Sequence, residues 1–342
     1  MDKTEIHIEK AIVHILDSSI GMPVLSDVAL DFGSDFADFL REHIYKIASG
    51  DDIKKCTFYE DSQVKSCIEE YIASEETDGA FEMMSKNIGT ILYEIMNQNI
   101  DIPAADLMVV QYRYGQQSFL GFLKMNYKSS YTHMTGADEA GNCNSIVSYK
   151  TILPNESQKL SEAALIDIQD ETITLIEKKY EVNGAKEHYF SKRFLQCSSK
   201  LSSKAKLSIV TKAVESVQKE FVNELDQWEA NMKAKAVLHE EISQQGEISI
   251  PQVADKIFEN QVELKEKFNE KMEKYNMTEE VIQPQSDTTT KKFEKQCLLT
   301  DTGIEIKIPM EQYQNGESVE FITNSDGTIS VLIKNIGHIQ SK

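Results

Sequence analysis

The chain has 342 residues and carries 36 Lys and Arg against 56 Asp and Glu, a formal net charge of -20 at neutral pH. That length suits two domains of roughly 150 residues each, and 40% hydrophobic with 27% charged residues fits a folded globular chain, neither disordered nor membrane-embedded. An acidic field repels nucleic acid at long range, so any contact with DNA must come through a local cationic patch or a basic partner.

The opening MDKTEIHIEKAIVHILD interleaves charged and apolar residues, unlike a signal peptide, and no later stretch is apolar enough to span a membrane, so a cytoplasmic location is expected. Ile6, Ile8, Ala11, Val13 and Ile15 change phase once after Glu9 and predict a first strand with room for a bulge. Ser34 is read as the cap of a helix with Phe36, Phe39, Leu40, Ile44 and Ile47 on one face. Two more helices start near Asp61, with Val64, Ile68 and Tyr71 inward, and near Asp78, with Phe81, Met84, Ile88 and Leu92 inward. Residues 107–114 and 119–127 read as a hairpin turning at Gly115-Gln116-Gln117, and further strands are expected at 145–153, 164–168 and 172–180. Helices packed on a largely antiparallel sheet make this half α+β.

From Lys204 onward, Leu207, Val210, Val214, Val217, Phe221, Leu225, Trp228 and Met232 keep helical spacing, with neither Pro nor Gly before Gly246, which predicts one long amphipathic helix. ISIPQVADKIF and VELKEKFNEKMEKY continue helically, TEEVIQPQSDTTTKKFEKQ reads as a polar, mobile connection, and strands are expected at 304–308, 319–323 and 328–333. The expected division is an N-terminal α+β domain over 1–200 and a C-terminal helical domain over 201–342 that ends in a small antiparallel sheet.

Phosphate-binding loops, dinucleotide fingerprints, nucleophile elbows and HExxH are absent. Five scattered cysteines without a CxxC pair argue against a disulfide framework or a zinc site, and His7 and His14, seven apart on one strand, point to opposite faces if the alternation is regular. No cofactor or metal is expected. Asp167, followed ten residues on by Glu177-x-Lys179, has the spacing with which restriction-endonuclease-like cores hold Mg²⁺, so a metal-dependent nuclease is the alternative reading, set against a plain solvated hairpin. ISIPQVADKIF also has the look of the first helix of a helix-turn-helix unit, with Ala254 as its small packing residue, but the charges of the following helix nearly cancel.

Between Tyr189 and Val214 stand Lys192, Arg193, Lys200, Lys204, Lys206 and Lys212 without one acid, accompanied by Ser191, Ser198, Ser199, Ser202 and Ser203. Such a run positions DNA phosphates without base specificity, or else it pairs with acids such as Glu75, Glu76, Asp78 and Glu82. The first hundred residues hold 8 cations against 20 acids, a charge that fits recruitment of a basic chromosome-associated protein. The apolar stripe from Leu207 to Phe221 also fits a partner helix, which leaves a homodimer open.

IHIEKAIVHIL, the hairpin DLMVVQYRYGQQSFLGFLKMNY, YFSKRFLQCSSKLSSKAK and ISIPQVADKIF, in that order and in a chain of this length, resemble the bacterial 37-kDa nucleoid-associated protein family, the YejK/NdpA-like proteins. The resemblance implies a non-enzymatic, nucleoid-localised protein that associates with double-stranded DNA of the bacterial chromosome, directly or through a protein partner. A glycine-rich segment expected before the strand IEIKI is reduced here to LLTDTG with Gly303.

Overall fold

Ile6–Leu16 forms the first strand, β1, and its register against a later strand slips between Ile8 and Lys10. The phase change in the sequence is thus a β-bulge. It overturns regular alternation: His7 and His14 lie opposite Arg113 and Leu107, six residues apart on the partner, and therefore face the same side, about 20 Å from each other.

The computed structural model describes residues 2–74, 77, 79–139, 141–223, 226–284, 286–314 and 317–340. Two compact units result, one up to Ser202 and one from Ser203. In the first, β1 is followed by β2 (Val24–Leu25), α1 (Ser34–Ala48), β3 (Lys54–Phe58), α2 (Gln63–Ala73), α3 (Ala80–Asn97), β4 (Ala105–Tyr114), β5 (Gln117–Asn126), β6 (Lys128–Asp138), β7 (Gly141–Ile152), β8 (Glu162–Asp167), β9 (Thr172–Ile176), β10 (Tyr180–Val182), β11 (Ala185–Glu187), a π-helical turn (Phe190–Leu195) and β12 (Cys197–Ser199). Eight strands form one antiparallel sheet in the order β12-β3-β9-β8-β5-β4-β1-β2. β4 and β5 turn tightly at Gly115, whose φ of 61° suits glycine.

Both faces of the sheet are covered, which explains why β4 reads as a nearly continuous apolar run. Ile12, Leu16, Leu107, Val109 and Phe122 pack under α2, α3 and the π turn, while Ala11, Met108, Val110, Tyr112 and Leu123 pack under α1. Gly89 lets α3 approach β1 closely, since a Cβ there would stand 3.2 Å from the His14 ring. Gly33, not Ser34, occupies the cap of α1, and α2 is capped by Ser62, whose Oγ accepts from the Lys65 N–H and donates to the Leu195 carbonyl. Lys124 is wholly buried opposite Glu162; its ammonium donates to the Pro103 carbonyl at 3.0 Å, and burial pushes its pKa down to about 8 against the pull of Glu162.

The second unit opens with two helices where one is expected, α4 (Ser203–Phe221) and α5 (Gln227–Gln245). Gln227 supplies the reason, because its Nε2 donates to the carbonyls of Lys219 and Val222 and so satisfies the end of α4 without a glycine. Leu225 lies outside the described residues. Leu207, Val210, Val214 and Val217 are buried in this unit's own core with Ala234 and Leu238, so the stripe has no face left for a partner helix. Then follow β13 (Ile248–Ser249), α6 (Ile250–Ile257), α7 (Val262–Glu273), β14 (Val281–Ile282), α8 (Asp287–Glu294), β15 (Lys295–Leu299), β16 (Glu305–Pro309), α9 (Met310–Gln314), β17 (Val319–Thr323) and β18 (Ile329–Ile333). The supposed mobile connection thus holds a short strand and a helix, and Phe293 anchors it in the core. The tail is two separate hairpins, β15–β16 and β17–β18.

Candidate nucleic-acid interface

The basic run is divided between the two units. In the first unit, Phe190, Phe194 and Leu195 turn inward from the π segment, and Ser191 is fixed by Glu177, which leaves Lys192 and Arg193 outside. Arg193 is ion-paired with Glu187. At the sheet edge Lys200 is exposed, and its N–H donates to the carbonyl of Lys55 at 3.2 Å, which sets the two lysines side by side in the chain path. Ser191 and Ser202 are buried and cannot reach a phosphate. Glu75, Glu76 and Asp78, the acids offered as their counterpart, lie outside the described residues.

In the second unit the cations take two directions. Lys206, half-buried, donates to Glu280 at 2.7 Å, so its charge is already matched. Lys204 and Lys212, two turns apart on α4, line a cleft of about 520 Å³ that Lys235 of α5 and Lys292 of α8 complete. Its floor is apolar, with Leu207, Leu238 and Phe293 among its residues, and among the described residues one carboxylate, Glu215, stands with the four lysines. Lys235 donates to the Lys295 carbonyl at 2.8 Å, and burial lowers its pKa. Asn231 also lines the cleft, and its buried Oδ1 has no hydrogen-bond partner among the described residues. Lys235 and Lys292 escaped the sequence reading because they lie outside the acid-free run; only the packing of α5 and α8 on α4 brings them to it.

The nuclease constellation does not assemble. Ile166 opposes Ile173 and Ala163 opposes Ile176, so Glu177 lies level with Glu162, five residues along β8 from Asp167, or about 16 Å. A single metal ion, with ligands at about 2–2.6 Å, does not bridge that gap. Each carboxylate has a structural task instead. Asp167 accepts from the N–H groups of Gln169 and Asp170 at 2.8 and 3.2 Å and shapes the β8–β9 turn. Glu177, whose side chain is wholly buried, accepts from Lys54 Nζ, Ser191 N and Ser191 Oγ, each at 2.9 Å. Lys179 is exposed.

His14 is equally a core residue: its Nδ1 accepts from the Ser26 N–H at 3.1 Å, so Nε2 carries the proton toward Ser85 Oγ at 3.0 Å. Ala254 is buried in the core of this unit, and of the lysines of α7, Lys265 pairs with Asp255, Lys267 with Glu270, and Lys271 donates to Ser216 Oγ at 3.1 Å. All five cysteines are free thiols.

The profile of the nucleoid-associated protein YejK family matches residues 12–339. The chain belongs to that family. Membership brings a chromosome-associated role and sets the chain in a family not defined by an enzymatic activity. No curated protein matches the chain. Among the described residues no helix is long and apolar enough to cross a membrane, and no three His, Cys, Asp or Glu side chains gather as a metal site would require.

Proposed function

We propose that this family member attaches to the nucleoid in the cytoplasm by direct, sequence-independent contact with double-stranded DNA, and that the contact surface is the lysine cleft of the second unit. The observation that carries the reading is the convergence of Lys204, Lys212, Lys235 and Lys292 on one cleft, against a single glutamate among the described residues, in a chain of net charge -20. Lysines act as point charges toward phosphate and carry no base code, so affinity without strong sequence preference follows. In the first unit Lys192 and Lys200 are exposed cations that offer phosphate contacts of their own, whereas Arg193 there and Lys206 in the second unit are held by Glu187 and Glu280 and contribute less. The surrounding acids limit indiscriminate coating of the chromosome. The role is binding, without a catalytic step, so supercoiled plasmid incubated with the protein and Mg²⁺ or Mn²⁺ stays intact.

The test is a titration of fluorescent duplex DNA at several salt concentrations, with wild type beside a variant carrying Ala at 204, 212, 235 and 292. If all four lysines engage phosphates, the slope of log affinity against log salt becomes shallower by about 3.6 in the variant. Equal slopes in the two proteins remove the cleft from the interface. No binding by the wild type even at low salt sends chromosome association to a cationic protein partner drawn to the first hundred residues, with their 8 cations and 20 acids.

A further inference from the structure

We propose that the β6–β7 hairpin is an arm through which two copies of this chain associate, arm against arm. β6 and β7 pair with each other in a ladder of their own and belong to no larger sheet among the described residues. Residues 128–137 are exposed throughout, and along β7 only Val147 is half-buried. A lone two-stranded ribbon is marginal in water, yet this one displays large apolar side chains on both sides. Tyr131 at 75% exposure and Ile146 at 70% share one face, while Met134 at 58% and Tyr149 at 54% share the other with Val147. Both outer edges of the ribbon are open to strand addition.

Charge selects a second copy as the occupant. The arm carries Lys128 and Lys150 against Asp138 and Glu139 at its tip, so it is balanced, and its stem free of acids, in a chain of net charge -20. Two such acidic bodies repel wherever carboxylates face each other, and the stem is where they approach without that opposition. DNA is a poorer match, since two lysines in about 40 Å of ribbon neutralise little of a duplex. Size agrees as well. A 12-residue strand at about 3.3 Å per residue and two strands about 10 Å wide present roughly 400 Å² per face. One face set against the same face of a second copy buries about 800 Å² in all, the scale of a weak, concentration-dependent association.

Light scattering on the full chain over a series from micromolar to several hundred micromolar reads the outcome. Wild type should rise toward twice the 38.8 kDa chain mass as concentration increases. One of the two double variants, Tyr131→Ser/Ile146→Ser or Met134→Ser/Tyr149→Ser on the opposite face, should weaken the dimer by about tenfold or more, and thereby name the face that is buried. Their thermal melting and far-UV circular dichroism should match wild type, because these side chains are exposed within the monomer. A monomeric wild type, or a dimer insensitive to both double variants, overturns the proposal. So does loss of DNA affinity in the variants with unchanged mass, which would assign the arm to nucleic acid.

Discussion

Replacing Glu177 with Ala separates a structural carboxylate from a chemical one. The side chain is wholly buried and gathers Lys54 Nζ, Ser191 N and Ser191 Oγ, all at 2.9 Å. Its removal strands a lysine whose side chain is only 16% exposed and unpins the N–H and hydroxyl that hold the π turn. Breaking a buried pair costs about 3–5 kcal/mol, and the partial exposure of Lys54 places this one near the lower end, about 3 kcal/mol. Against a total stability of about 5–15 kcal/mol that is a large loss. Glu177→Gln keeps the shape and one acceptor and should cost about 1–2 kcal/mol. Urea denaturation followed by circular dichroism measures the global effect, and hydrogen exchange at the Ser191 amide measures the local one. A loss below about 1 kcal/mol for Glu177→Ala, with Ser191 protection unchanged, refutes the reasoning.

Acid should weaken the first unit through His14. Burial, with Lys86 nearby, pushes its pKa down to about 4, below the 6.5 of the unfolded chain. The unfolded state therefore takes a proton that the native state refuses: the contribution is intact above pH 6.5, declines as pH falls, and amounts to about 2 kcal/mol lost by pH 5. His14→Gln should flatten the dependence of the urea midpoint on pH between 7.5 and 5, and an unchanged profile counts against this assignment. Phe293→Ala should cost about 3 kcal/mol in denaturation followed by Trp228 fluorescence, because the segment around it is packed rather than mobile; a change under about 1 kcal/mol argues the opposite. Lys206→Ala should leave DNA affinity and its salt slope almost unaltered, in contrast to Lys204→Ala, since Lys206 is matched by Glu280. Equal losses in the two single variants would show that the ion pair opens on binding.

Local pattern was enough for much of the fold. The alternation in β1 with its phase change, the β4–β5 hairpin, the three helices of the first unit and the turn between β17 and β18 are encoded by neighbours within a few residues, where periodicity and turn chemistry act. β3, β6 and β15 are less legible: β6 lacks a buried face to impose alternation, and β3 is defined by its neighbours β9 and β12. The break between α4 and α5 was hidden because Gln227 closes the helix end with its side chain, where a reader expects glycine or proline.

By itself the sequence determined the α+β class, the acidic body and the acid-free run from Lys192 to Lys212, because composition, periodicity and charge are properties of the chain before it folds. Only tertiary structure decided what stands beside each of those cations. It matched Arg193 with Glu187 and Lys206 with Glu280, brought Lys235 and Lys292 to Lys204 and Lys212, and drew Asp167 and Glu177 apart into separate structural roles. The physical reason is range: a charge acts on whatever packing places within a few ångströms of it, and while Glu187 is near Arg193 in the chain, Glu280 reaches Lys206, and Lys292 reaches Lys204, from more than 70 residues away.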